Sequence, residues 1–203
     1  KMQRFQRQLS LTVEELCVFW YQIPQTPMNE DSKSLVDRLF NPTRLTSSAS
    51  DMWPNGDTFL YQNNPPTAAD SLKQQRMLAG LQLTDDELGL LFQGLQPAIA
   101  YSSNDIQTNI QSLSVLARHA QIAKMVDISI QELLALLTRV PNITSSPITY
   151  LATFDDVVAF IDFVEVWKQS DVDLEILAVI MDGVQAGSKW ATQIAKEAST
   201  IVE

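Results

Sequence analysis

Apolar residues recur along most of this chain at intervals of three and four positions, which places them on one face of an α-helix. One such stripe predicts a first helix over residues 5–23, and its members are Leu9, Val13, Leu16 and Trp20. Another predicts a central helix later in the chain, and its members are Val157, Phe160, Ile161, Val164 and Trp167. No segment alternates apolar and polar residues convincingly, as a half-buried strand would, so the pattern predicts an all-α fold.

A helix-start pattern occurs four times: Ser or Thr, an acidic residue three positions later, then Leu, then a large apolar residue. In such a capping box the Ser or Thr side chain accepts a hydrogen bond from the third N–H of the helix, and the acid accepts one from the backbone N–H of that Ser or Thr. Each copy therefore predicts a helix N-terminus. The four copies begin at Thr12, Thr84, Ser129 and Ser170, and a further capping box is predicted at Thr153 and Asp156.

The remaining helices are predicted between proline-containing and polar segments. They cover residues 32–40, 67–79 and 85–94, a long helix that begins at Asp105 after the polar link 102–104, a short helix from Ser129 to Val140, and a last helix from Ser188 onwards. Together these elements predict an irregular multi-helix bundle of about 8–9 helices.

The segment 41–66 differs from the rest, because it combines four prolines with many Asn, Ser and Thr residues. It predicts a long ordered loop. Loops of this length are uncommon in compact domains unless they bind something or lean on a neighbouring surface. Trp53, Phe59 and Tyr61 are therefore the candidate interaction residues, and the alternative is that these aromatics hold the loop against its own helices.

The composition allows a buried core, since 45% of the 203 residues are hydrophobic and 19% are charged. We expect one α-helical module over residues 1–203, with an internal boundary near 96–104 as an alternative. The first residues read as the interior of a polar helix, and the segment 201–203 carries no terminating Gly or Pro. We therefore expect the module to be part of a larger chain.

The formal net charge of −10 and the sequence pI near 4.5 weigh against binding to nucleic acid or anionic membranes, because both are negatively charged. Residues 122–133 have the spacing of a helix-turn-helix, but the helix that would read DNA carries a single basic residue, Arg139. The longest apolar runs are too short to span a membrane. We expect no nucleic-acid partner and no direct membrane insertion by this segment.

Candidate chemistry is sparse, because the chain has one His and one Cys. His119 lies off the main apolar stripe of its helix, which favours a solvent-facing or edge position. Cys17 lies beside the stripe of the first helix, which favours a small buried hydrophobe. The acidic clusters 85–87 and 155–156 fall in first helical turns, where acids stabilise the helix N-terminus. The sequence therefore indicates that the chain is not an enzyme and holds no cofactor and no metal. The alternative is an enzyme that uses Asp155 and Asp156 as a catalytic carboxylate pair.

Three segments carry a resemblance to a known family. Residues Asp37–Pro42 read Asp-Arg-Leu-Phe-Asn-Pro. Residues Leu78–Leu88 contain an L-x-L-[ST]-x-x-E-L helix start, and residues Ile128–Leu137 begin with the related sequence Ile-Ser-Ile-Gln-Glu-Leu. In this combination the chain resembles the N-terminal α-helical region of the A subunits of the Tc insecticidal toxin complexes.

The resemblance implies a very large secreted parent protein that assembles as a homopentamer, binds a target-cell surface and delivers a toxic enzyme through a central channel. This segment would belong to the non-catalytic helical shell around the channel, at the bacterial cell surface or in the secreted complex. Its partners would be the other domains of the parent chain, with a host-cell receptor as a further one. The alternative function is a free-standing helical adaptor that binds a partner protein through the loop around Trp53 and Tyr61.

Overall fold

The structure is a computed structural model, and it describes residues 11–29, 32–41, 58–60, 67–96, 98–99, 101–102, 105–139, 150–170 and 172–177. Its helices are α1 (Val13–Trp20), α2 (Leu35–Phe40), α3 (Ala68–Leu81), α4 (Asp85–Gly94), α5 (Ile110–Met125), α6 (Ile130–Leu137) and α7 (Phe154–Gln169). Residues 174–177 are helical as well. The predicted all-α, multi-helix fold is confirmed.

A small antiparallel sheet, which the sequence pattern did not predict, accompanies the helices. Its strands are β1 (Thr58–Leu60), β2 (Tyr101–Ser102) and β3 (Asp105–Gln107), in the order β1-β3-β2. Ile106 of β3 lies opposite both Phe59 and Tyr101 and is fully buried. Strands of two or three residues are too short to display an alternating pattern, which explains why they escaped detection.

The start of the long helix was predicted wrongly. Residues Asp105–Gln107 form β3, and the helix begins at Ile110. Its N-cap is Asn109, whose side-chain oxygen accepts a hydrogen bond from the N–H of Ser112 at 2.8 Å. An Asn cap fits this position as well as Ser does, so the polar link upstream was not the only available start.

The predicted capping boxes are confirmed at four helix starts. Thr12, Thr84 and Ser129 each accept a hydrogen bond from the N–H of the Glu three residues later, and each Glu bonds back to the cap N–H. Thr153 and Asp156 form the same pair of bonds, at 2.8 and 3.2 Å, ahead of α7. These bonds join residues three apart, so local sequence is enough to specify them.

The fourth copy of the repeated pattern, at Ser170, does not cap a helix. The Ser170 hydroxyl instead donates to the Trp167 carbonyl at 2.6 Å, at the end of α7. The next helix begins at Leu174, and the N–H of Leu177 donates to the carbonyl of Asp173. Asp173 therefore occupies the cap position. The predicted last helix from Ser188 lies outside the described residues.

The chain forms two compact units, residues Lys1–Ile161 and Asp162–Glu203. In the first unit α5 is the central element, with contacts to α1, α3 and α6. Every residue from Ser112 to Ala120 is buried, so nearly the whole circumference of α5 is covered. A helix that is enclosed on all sides presents its polar residues to the interior, where each needs a partner.

The apolar stripe predicted for the first helix is only partly buried. Leu16 lies in the core, together with Val18 and Phe19, whereas Val13 and Trp20 are about half exposed. The Trp20 ring stacks on Phe154, with ring centroids 6.1 Å apart. Because α1 is apolar on most of its surface, its sequence periodicity does not determine which side faces the core.

The segment Asp37–Asn41 packs α2 against α1 and α3. Arg38 forms an ion pair with the buried Glu14 of α1. Asn41 caps the C-terminus of α2, and its side-chain oxygen accepts a hydrogen bond from Arg76 of α3 at 3.0 Å. Phe40 is fully buried. The segment Asp37–Asn41, one of the three on which the family resemblance is based, is therefore a packing motif that joins three helices.

Gly80 allows α2 and α3 to approach each other closely. A Cβ at this position would overlap the backbone carbonyl oxygen of Leu39 and would lie 2.9 Å from its carbonyl carbon. We expect Gly80→Ala to lower the free energy of unfolding by about 2 kcal/mol, measured by urea denaturation, because backbone has to move.

Gly94→Ala is the matched control for this experiment. A Cβ there would meet the end of the Leu134 side chain, which can change rotamer. We expect a change within about 1 kcal/mol of wild type. Equal stability of Gly80→Ala and wild-type protein would contradict the close helix approach.

Candidate functional site

The most concentrated polar chemistry in the described core is a cluster on α5 formed by Ser114, Arg118 and His119, here called the α5 cluster. Arg118 is 3% exposed and His119 is fully buried. The Ser114 hydroxyl accepts a hydrogen bond from the N–H of Ile23 at 2.9 Å and donates to the Ile110 carbonyl at 2.5 Å. Its side chains extend from α5 to the C-terminal end of α1 and to the segment before α7.

The Arg118 guanidinium donates to four backbone carbonyls. Two belong to the C-terminal end of α1: Val18, reached by Nε at 2.9 Å, and Tyr21, reached by an Nη nitrogen at 2.7 Å. The other two belong to the segment before α7, Leu151 at 2.6 Å and Ala152 at 2.9 Å. The last carbonyls of a helix lack intrahelical partners, so this contact satisfies groups that burial would otherwise penalise.

Burial lowers the pKa of Arg118 from its ordinary value, and the electrostatic interaction with Asp156 opposes that shift. An arginine pKa starts so high that the side chain stays protonated. Arg118 is therefore a permanent buried cation. Its charge is balanced by the Asp156 carboxylate and by the negative ends of four carbonyl dipoles.

His119 joins α5 to the same segment before α7. Its Nε2 accepts a hydrogen bond from the backbone N–H of Leu151 at 3.0 Å, so the proton of the neutral ring is on Nδ1. Nδ1 then donates to the Val115 carbonyl at 2.7 Å. Burial lowers the pKa of His119 to about 4, helped by the charge of Arg118 and opposed by the Val115 carbonyl.

The interpretation of His119 as a solvent-facing or edge residue was wrong. It assumed that α5 has one buried stripe, whereas α5 is covered on nearly all sides. The signal in the sequence was the pair Arg118-His119 inside a run of Leu, Val and Ala, because a charged residue in such a run needs buried partners. Cys17, expected to be buried, is half-buried.

The acidic clusters serve the helix starts at which they were predicted. Glu87 and Asp156 close capping boxes, and Asp85 accepts a hydrogen bond from Gln74 at 2.6 Å. Among the described residues, no three His, Cys, Asp or Glu side chains are grouped so that they could hold a metal ion. None of the described helices has the length and apolar character needed to cross a membrane.

The candidate interaction residues fall largely outside the described part of the chain. Trp53, Tyr61 and most of the predicted loop 41–66 lie outside the described residues. Phe59 lies on β1, where its backbone is paired with Ile106. That part of the predicted loop is therefore a strand. The interaction role of these three aromatics stays a prediction.

A pocket of about 350 Å³ lies between α1, α3 and α5, here called the α5 pocket. Its walls are largely apolar and include Phe19, Leu81 and Met125. Polar lining comes from Glu15, Gln82, Gln121 and Lys124. The Lys124 ammonium donates to the Gln82 side chain at 2.5 Å, and burial lowers the pKa of Lys124 while Glu87 opposes the shift.

Comparison with known proteins gives matches only at the level of structure. No protein-family model matches the sequence, and no curated protein is similar to it. The cryo-EM structure of Morganella morganii TcdA4 superposes with a TM-score of 0.67 over 95% of this chain, at 14% sequence identity. The cryo-EM structure of Yersinia pseudotuberculosis TcaA-TcaB superposes with a TM-score of 0.60 over 87% of it, at 15% identity. The chain has the fold of a segment of Tc toxin A subunits.

The chain spans 8% of the TcdA4 chain and 9% of the TcaA-TcaB chain. The resemblance to Tc toxin A subunits inferred from three short segments is thus confirmed as a likeness of fold. Those segments coincide with the α2–α3 contact and with the starts of α4 and α6. They mark helix packing and helix starts in the Tc-like fold, and none of them contributes to the α5 cluster.

Proposed function

We propose that this chain is a non-catalytic structural segment of a Tc toxin A-type subunit, within the helical shell that surrounds the translocation channel. In this role it contributes to host-cell attachment and toxin delivery by holding the architecture in which other domains act. In this proposal the two compact units are parts of a larger α-helical parent chain.

The observation that carries this proposal is the match to TcdA4 over 95% of the chain. The α5 cluster supports it, because every described hydrogen bond of Arg118 and His119 goes to backbone within the chain. Such contacts make a fold rigid and leave no polar group of the cluster directed at a substrate.

The proposed partners are the other domains of the parent chain, four further copies of that chain in a homopentamer, and a host-cell surface receptor. The proposed location is the secreted complex or the bacterial cell surface. The net charge of −10 supports partners other than nucleic acid. The fold likeness to Tc toxin structural subunits supports a non-enzymatic role for this segment.

An immunoblot of the source organism and its culture supernatant, with an antibody raised against this chain, tests the proposal. We expect a band many times larger than 22.7 kDa, present in the supernatant. Particles captured with the same antibody and imaged by cryo-electron microscopy should have five-fold symmetry. A single band near 22.7 kDa would rule out a segment of a giant subunit.

The alternative, a free-standing helical adaptor, depends on the aromatic residues of the segment 41–66. It predicts saturable binding of a partner protein by the isolated chain, with a large loss of affinity when Trp53 and Tyr61 are both replaced by Ala. Phe59→Ala tests the third candidate separately, since its backbone belongs to β1. Undiminished binding by the double variant would exclude this surface.

A further inference from the structure

We draw no further inference here: the strongest candidate, the exposed apolar surface patch that Val13 and Trp20 of α1 form with the adjoining Tyr21, carries none because nothing in the described part of the structure shows what covers it.

Discussion

Replacement of Arg118 by Leu is expected to lower the free energy of unfolding by about 4 kcal/mol, the range seen when one member of a buried charged network is removed. Four carbonyls, those of Val18, Tyr21, Leu151 and Ala152, lose a charged donor at once. Leu fills part of the volume but supplies no hydrogen bond. Urea denaturation followed by circular dichroism measures the loss.

Two further variants make this result interpretable. Arg118→Lys keeps the charge but cannot reach carbonyls on both sides with a planar fork, so we expect it to restore only part of the lost stability. Arg139→Leu is the control, because Arg139 is half-buried and one of its bonds, to the Ala135 carbonyl, is local to its own helix end. We expect the control to change stability by less than about 1 kcal/mol. If Arg118→Leu and Arg139→Leu were equally mild, the α5 cluster would not hold the fold together.

Acidification is expected to weaken the fold through His119, by about 3 kcal/mol between pH 7 and pH 4. The pKa of this side chain is about 4 in the folded protein, against an ordinary value of 6.5. Between these two values the unfolded chain binds a proton that the folded chain does not. Stability is therefore fully present above pH 6.5 and is lost as the pH falls toward 4.

His119→Gln isolates this effect from the titration of carboxylates, which both proteins share. Urea denaturation at intervals from pH 7 to pH 4 should give a steeper loss of stability for wild type than for the variant. Parallel curves would refute the assignment. His119 is the single histidine of the chain, so its ring proton resonance is unambiguous in NMR and should keep its neutral chemical shift down to about pH 5.

The helix starts were predictable because the bonds that make them are local. Thr84 and Glu87 are three residues apart, and the same holds for Ser129 and Glu132. The sequence placed α4 at its observed bounds for this reason. The local rule failed at Ser170, where the preceding residue is Gln169 and α7 continues up to it. A capping pattern specifies a helix start only if the chain before it has ended its own helix.

The sequence alone also determined the all-α fold and the segments that resemble Tc toxin A subunits, since both rest on patterns between near neighbours. Only the tertiary structure decided the α5 cluster, the buried side of α1 and the α5 pocket. Arg118 and the Val18 carbonyl that it contacts are 100 residues apart in sequence, and His119 and Leu151 are 32 apart. Contacts over such separations depend on how helices pack, and helical periodicity carries no information about which helix meets which.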